Sequence, residues 1–338
     1  MNAHEPMSPI ELLPQRGRNE WPVSNHSQVN DDHLGREEFA RLFGVRVEDL
    51  DEYSIELIES LDFRYRKLSD IERDQVILQI MKELYCGEII VSGEDRKPDW
   101  EKGWRENLLA FVESGYDLAS LVPRYFKNQV PVRLNGDYVL PLGTDFVLNC
   151  TKVFRSWLFQ KYCNNVDSLY EFGCGPGSHL AFLAGLYPDK KLYGLDWAES
   201  SQKILEHLAN HLSCSIKGIH FDFFQPHHDF HLDNSSALLT FGALEQVGER
   251  FEVFLQYILR ERPTICINVE CINEFYQQDN LSDFLALQYH RRRGYLFNYF
   301  TRLRHLESEG RLKILKAHHQ PFGNIYNDTH SYIIWKPA

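Results

Sequence analysis

The chain has 338 residues, 43% hydrophobic and 25% charged, with a formal net charge of −12. That length suits one core domain with a large extension, and the composition is that of an ordinary globular protein with a sizeable core. So acidic a chain makes a nucleic-acid backbone a poor partner, because neutralising phosphates takes clustered Lys and Arg. The one dense basic run, Arg291–Arg293, falls inside a helical pattern and reads as a solvated helix face.

Residues 1–32 are polar and carry Pro6, Pro9, Pro14 and Pro22 without an apolar period, which predicts a loose tail. Residues 33–140 read as a mainly helical region. Ser69 followed by Glu72 is a capping-box signature, and Val76, Ile77, Ile80, Met81 and Leu84 behind it predict one buried face. A second helix from Asp99 carries Trp100, Trp104, Leu108, Phe111 and Val112 inward. Tryptophans at i and i+4 suit a ligand pocket, but packing alone also places them so.

Residues 141–338 read as the main domain. A helix over Phe146–Tyr162 precedes apolar strand candidates at Ser168–Phe172, Lys191–Leu195, Ile219–Phe221, Ala237–Phe241 and Thr264–Val269. Helical stretches at Ser178–Tyr187, Ser200–Leu212 and Glu249–Arg260 separate most of them, the alternation of a parallel sheet with crossover helices. Leu312–Ala317 and Ser331–Trp335 read as a closing antiparallel hairpin. Residues 271–311 form an insertion of two helical stretches, Leu281–Arg293 and Tyr295–Glu309, broken at Gly294, and suit a lid.

The sharpest motif is Glu171-Phe172-Gly173-Cys174-Gly175-Pro176-Gly177-Ser178, which follows a strand and opens a helix. Glycines there allow a tight turn and close backbone approach to a ligand. A dinucleotide site would read GxGxxG. This loop reads GxGxG, and Glu171 stands where it would repel a diphosphate while still accepting hydrogen bonds from a zwitterion or its waters. The pattern disfavours NAD.

These residues resemble the first motif of the class I S-adenosylmethionine methyltransferases, an acid followed by Gly-x-Gly-x-Gly after the first strand. The resemblance implies a Rossmann-like, mostly parallel seven-stranded sheet with a terminal antiparallel hairpin, here preceded by a helical extension. It also implies S-adenosylmethionine as cofactor, and it carries roles onto particular positions. Glu171, Gly173, Gly175 and Gly177 form the loop, and Asp196, ending the next strand, binds the ribose diol. Asp222 meets the adenine amino group, Trp197 or Phe223 supplies an apolar wall, and Phe241 ends the fourth strand near the methionine part. Read alone, Asp196 can simply end a strand and Asp222 can be a turn or cap residue.

Methyl transfer is an in-line displacement, so positioning does much of the work and a hydroxyl acceptor gains from a general base. Glu245, Glu270 and His290 are the catalytic candidates, at strand ends four and five and in the insertion. A salt bridge or surface position is the alternative for His290. His318-His319 ends a strand and can brush the acceptor pocket. The run His227-His228-x-x-His231 invites a metal, but a polar loop explains it, and no metal is expected. An enclosing lid favours a small-molecule acceptor and O-methylation. The pattern is also similar to bacterial methyltransferases of sugar and surface-polysaccharide biosynthesis, without a diagnostic motif. N- or C-methylation, a protein substrate and a cofactor-binding module without catalysis stay open, as does a homodimer.

Seven cysteines show no CxxC spacing, which suits a reducing compartment. No stretch reaches the ~18 apolar residues of a membrane span, and no basic-then-apolar leader is present, so a cytoplasmic protein is expected.

Overall fold

The computed structural model describes residues 31–122, 129–227 and 229–338. Most of the predicted tail, with its four prolines, lies outside them. The chain opens with β1 (Asp32–His33), α1 (Arg36–Leu42), α2 (Glu52–Ser60), β2 (Arg64–Lys67), α3 (Asp70–Cys86) and α4 (Lys97–Glu113). The capping box forms as expected: Ser69 Oγ accepts from Glu72 N–H, and Glu72 Oε2 accepts from Ser69 N–H at 2.9 Å. Arg66 adds a fork onto Glu72 at 2.7 and 2.9 Å and holds that carboxyl down to about 2. The inward face of α3 is narrower than its periodicity suggests. Val76, Ile80 and Leu84 are buried, but Met81 is exposed, as is Val112 on α4.

A hairpin follows, β3 (Val132–Leu134) and β4 (Asp137–Pro141), and then α5 over Phe146–Tyr162, as predicted. The hairpin belongs to a small antiparallel sheet of order β1-β2-β4-β3-β11, so the N-terminal region is not helical alone. Its last member, β11 (Phe322–Gly323), comes from near the far end of the chain and pairs with β3.

The main sheet is built from β5 (Ser168–Phe172), β6 (Lys191–Asp196), β7 (Ile216–His220), β8 (Ser236–Phe241), β9 (Ile265–Val269), β10 (Leu312–His318) and β12 (Tyr332–Pro337). Its order is β10-β12-β9-β8-β5-β6-β7. The pairings among β5 to β9 are parallel; β12 runs antiparallel to both β9 and β10. The fold is Rossmann-like. Helices α6 (Ser178–Leu186), α7 (Glu199–Leu212) and α8 (Glu252–Glu261) fill the crossovers, and α9 (Leu281–Arg293) and α10 (Tyr299–Ser308) form the insertion. Strand β7 begins three residues before the predicted start. A left-handed Ser213, not a glycine, makes the turn ahead of it.

β5 is buried along its length, and two apolar clusters sandwich the sheet, one led by Phe154, Trp157 and Leu205 and the other by Phe172, Phe254 and Trp335. A polar residue, Asn268, crosses this core with both ends of its side-chain amide bonded. Its amide donates to Thr240 Oγ1, and its carbonyl accepts from Tyr299 Oη and Trp335 Nε1 at 2.9 and 2.7 Å. β5 and β8 adjoin where the strand order reverses, the place at which open α/β sheets leave a crevice at their carboxyl ends.

Candidate functional site at the carboxyl edge of the sheet

The glycine loop leaves β5 at that reversal. Gly173, Gly175 and Gly177 all take positive φ, at 72°, 51° and 72°. Gly173 N–H donates to the Leu195 carbonyl at 2.6 Å, which ties the loop to the neighbouring strand. Asp196 then clamps it from the side. One carboxylate oxygen accepts from Gly175 N–H and the other from Ala198 N–H, each at 2.9 Å. Burial pushes the Asp196 carboxyl up to about 6, against the pull of those two amides.

Glu171 is 3% exposed. His179, the second residue of α6, meets its Oε1 at 2.8 Å, while Oε2 is buried with no hydrogen-bond partner among the described residues. The His179 ring lies 4.2 Å from that of Phe241, centroid to centroid. Sequence reasoning missed His179, although its place eight residues after the acid is the signal that could have found it. Phe223 packs against the loop at Gly173 and edge-on to Trp197. Thus Glu171, the three glycines, Asp196, Trp197, Asp222, Phe223 and Phe241 gather along one edge.

A second surprise is what lies over them. The start of α4 crosses this edge. Lys97 Nζ sits 2.5 Å from Asp222 Oδ2 and over the rings of Trp197 and Phe224 at 5.5 and 5.6 Å. Glu101 accepts from Ser200 N–H and Oγ, and Trp104 lies against the glycine loop. The tryptophan pair is stacked, with centroids 5.5 Å apart. An open cleft of about 490 Å³ runs beside this crossing, lined in part by Lys97, Glu101, Trp197 and His220.

Gly175→Ala follows as a sharp test of the contact. Its Cβ would stand 2.9 Å from a Trp104 ring carbon, on a backbone with φ +51° that disfavours any side chain. We expect a loss of about 1–3 kcal/mol in chemical denaturation. Most of it should return when Trp104 is also trimmed to Leu if the clash dominates, and little if φ does.

The acceptor-side candidates form a neighbouring, deeper group. Glu270 is fully buried, and its carboxylate accepts from the amides of Leu244 and Glu245, both at 3.1 Å, with Ala243 N–H at 3.4 Å. It therefore holds the turn after β8. Burial and the nearby Glu245 raise its carboxyl well above the ordinary range. Glu245 in turn accepts from Cys271 N–H at 3.3 Å.

His290 is fully buried, its ring 5.3 Å from Tyr276 and 5.7 Å from Tyr295. Neither ring nitrogen has a hydrogen-bond partner among the described residues. The surface reading of His290 is thereby excluded. Arg293, expected in a solvated basic run, is also buried and donates to the Ile90 carbonyl; only Arg291 and Arg292 are exposed.

Enclosure drives the His290 imidazole down to about 3, so it is neutral at physiological pH. The folded value lies below the ordinary 6.5, so its share of stability is full above pH 6.5 and drains away as pH falls towards 3. The slope is about 1.4 kcal/mol per pH unit for one such group. His290→Phe should flatten the acid limb of a urea-unfolding series by that amount; an unchanged limb would show that His290 is not enclosed.

The remaining histidines divide. His319 bonds Asp328 Oδ2 at 3.0 Å and packs on Tyr276, the ring that also meets His290, whereas His318 Nε2 donates to the Leu42 carbonyl at 2.8 Å. His231 meets Glu261 at 3.1 Å, His228 lies outside the described residues, and no group of potential metal ligands occurs among those described. No helix there is long and apolar enough to cross a membrane.

No family model and no curated protein matches the chain. Solved structures do align with it. A SAM-dependent methyltransferase from Aquifex aeolicus is 10% identical over 54% of this chain and 88% of its own, with a TM-score of 0.38. NcsB1, an O-methyltransferase from neocarzinostatin biosynthesis, is 14% identical over 90% of both chains, at 0.38. The [4+2]-cyclase SpnF is 13% identical over 68% of this chain and 76% of its own, at 0.45. Likeness at this level says nothing about the site, and the Rossmann-like fold rests on the strand order and directions given above.

Proposed function

We propose that this chain is an S-adenosylmethionine-dependent methyltransferase acting on a small molecule. The observation that carries the reading is the row of acids, Glu171, Asp196 and Asp222, at the carboxyl ends of three adjacent parallel strands around a left-handed glycine loop. Asp196 accepts two hydrogen bonds from a ribose diol, Asp222 meets an adenine amino group, and the unbonded Oε2 of Glu171 receives the methionine ammonium or its water. A diphosphate has no place beside these carboxylates. The antiparallel β12 also departs from the six parallel strands of a dinucleotide fold, so NAD is disfavoured twice.

On the acceptor side, Glu270 positions the turn bearing Glu245, which takes the proton of a hydroxyl acceptor; His290, whose enclosure disfavours the protonated ring, is too weak a base for that step. Oxygen is thus the favoured methyl acceptor, and a sugar is one candidate class. The burial of His290 and Glu270 favours one alternative, a cofactor-binding module without catalysis.

Calorimetric titration with S-adenosylmethionine, S-adenosylhomocysteine and NADH tests the proposal. Micromolar binding of the two sulfur ligands with none of NADH is expected. Folded protein that binds neither sulfur ligand would sink it, and tight binding without turnover of any acceptor would favour the module.

A further inference from the structure

We propose that Arg96, with Trp100 one turn along, forms an oxyanion-binding subsite at the start of α4 that takes a carboxylate or phosphate group of a ligand. Arg96 is 3% exposed, and among the described residues one of its side-chain donors is used: Nε bonds Asp99 Oδ2 at 2.6 Å. Nη1 and Nη2 are buried and have no hydrogen-bond partner among the described residues, and the same holds for Trp100 Nε1. The guanidinium carbon lies 5.9 Å from the Trp100 ring centroid, so the two sets of donors are neighbours.

Every unbonded atom in this pair is an N–H donor. A planar fork that has lost Nε to one acid still presents two parallel N–H groups, the geometry that recognises a carboxylate or phosphate. Burying such donors without acceptors is costly, and evolution seldom retains it without a use. The 17-residue α4 begins immediately after Arg96, adding the positive end of a helix dipole.

The position suits a ligand of the proposed site. Just upstream, Ser92 bonds the carbonyls of Arg293 and Gly294 beside the acceptor-side group. Just downstream, Lys97 reaches Asp222 on the cofactor side. Arg96 falls between the two. The anion therefore has two sources to tell apart, the methionine carboxylate of the cofactor and an acidic group on the acceptor. Both sources rest on the function proposed above; the subsite itself does not.

The test compares the full chain with its Arg96→Met variant. Three probes are used: S-adenosylhomocysteine, S-adenosyl-3-thiopropylamine (the same molecule without its carboxylate) and inorganic phosphate. If the cofactor is the source, the variant should bind S-adenosylhomocysteine about tenfold or more weaker and the decarboxylated molecule unchanged. If the acceptor is the source, both adenosyl ligands bind alike, and phosphate raises the melting temperature of wild type but not of the variant.

Without ligand the variant should melt at or above wild type, because Asp99 is partly exposed and tolerates losing its partner. Equal S-adenosylhomocysteine affinity together with no phosphate response in wild type would overturn the subsite. So would a markedly lowered melting temperature with unchanged ligand responses, since it would make Arg96 structural. Should wild type bind no S-adenosylhomocysteine, the cofactor reading fails by itself, and the phosphate response decides the subsite alone.

Discussion

Asp196→Ala is expected to lower the affinity for S-adenosylhomocysteine by about a hundredfold or more, the equivalent of two charged hydrogen bonds to a ribose diol. The same carboxylate fastens the Gly175 and Ala198 amides, so the variant also loses the clamp that shapes the glycine loop. A stability loss of about 1–3 kcal/mol should accompany it, from amides left without an acceptor. Asp196→Asn separates the two effects. It keeps an acceptor for one amide and most of the stability, but not two acceptor oxygens for the diol.

The pH dependence gives a second signature. The folded carboxyl titrates near 6, above the ordinary 3.8, because burial disfavours its charge. Its ionisation therefore costs folding stability as pH rises from about 4 to 6, while the ionised form is the one that binds the diol. Affinity should climb over that window in wild type and stay flat in Asp196→Asn. Wild-type affinity in Asp196→Ala, measured by calorimetry, would end the assignment of this site.

Arg133→Met should produce the largest loss of stability, about 3–5 kcal/mol. Arg133 stands on β3 at 1% exposure and binds Asp328 through Nε and Nη2 at 2.9 and 3.2 Å, Asp283 at 2.7 Å and the Ser282 carbonyl at 2.7 Å. Asp328 is equally buried, and Arg133 and His319 together hold its carboxyl below the ordinary range. Removing the guanidinium leaves that carboxylate enclosed with one histidine. Adding Asp328→Asn should recover part of the loss, since the double variant no longer buries an unmatched charge. A loss under about 1 kcal/mol in urea unfolding would mean that the cluster is solvated.

The parts of this molecule that could be read from the chain are those where local chemistry leaves few options. Phe146–Tyr162 and Leu281–Arg293 carry uninterrupted helical patterns, and the second ends at Gly294 in the left-handed conformation its position demands. Strand β5 and its loop are legible because glycines at that spacing after a buried strand have few other uses. The small sheet was hidden. Arg64–Lys67 is four residues of Arg, Tyr and Lys with no apolar alternation, and β11 is two residues long. The crossing of α4 was hidden for another reason: Lys97 meets Asp222 across 125 positions, and no local pattern announces such a pair. The sequence marks His290 by its chemistry, but its enclosure depends on Tyr276 and Tyr295, whose placement is tertiary.

The pairing of β11 with β3 has a consequence for how the protein is made. Strand β3 obtains its outer neighbour from residues 322–323, and the more enclosed of the two counter-charges of Arg133, Asp328, comes from the same stretch. Those residues are synthesised nearly two hundred positions later. The first hairpin to leave the ribosome therefore waits with an open edge, and with Arg133 short of one of its two acids, until almost the whole chain has emerged. Closing so long a loop is slow, and the early chain is exposed to wrong partners in the interval. The connection between β10 and β12 thus acts as the last stitch, joining both sheets in one late event.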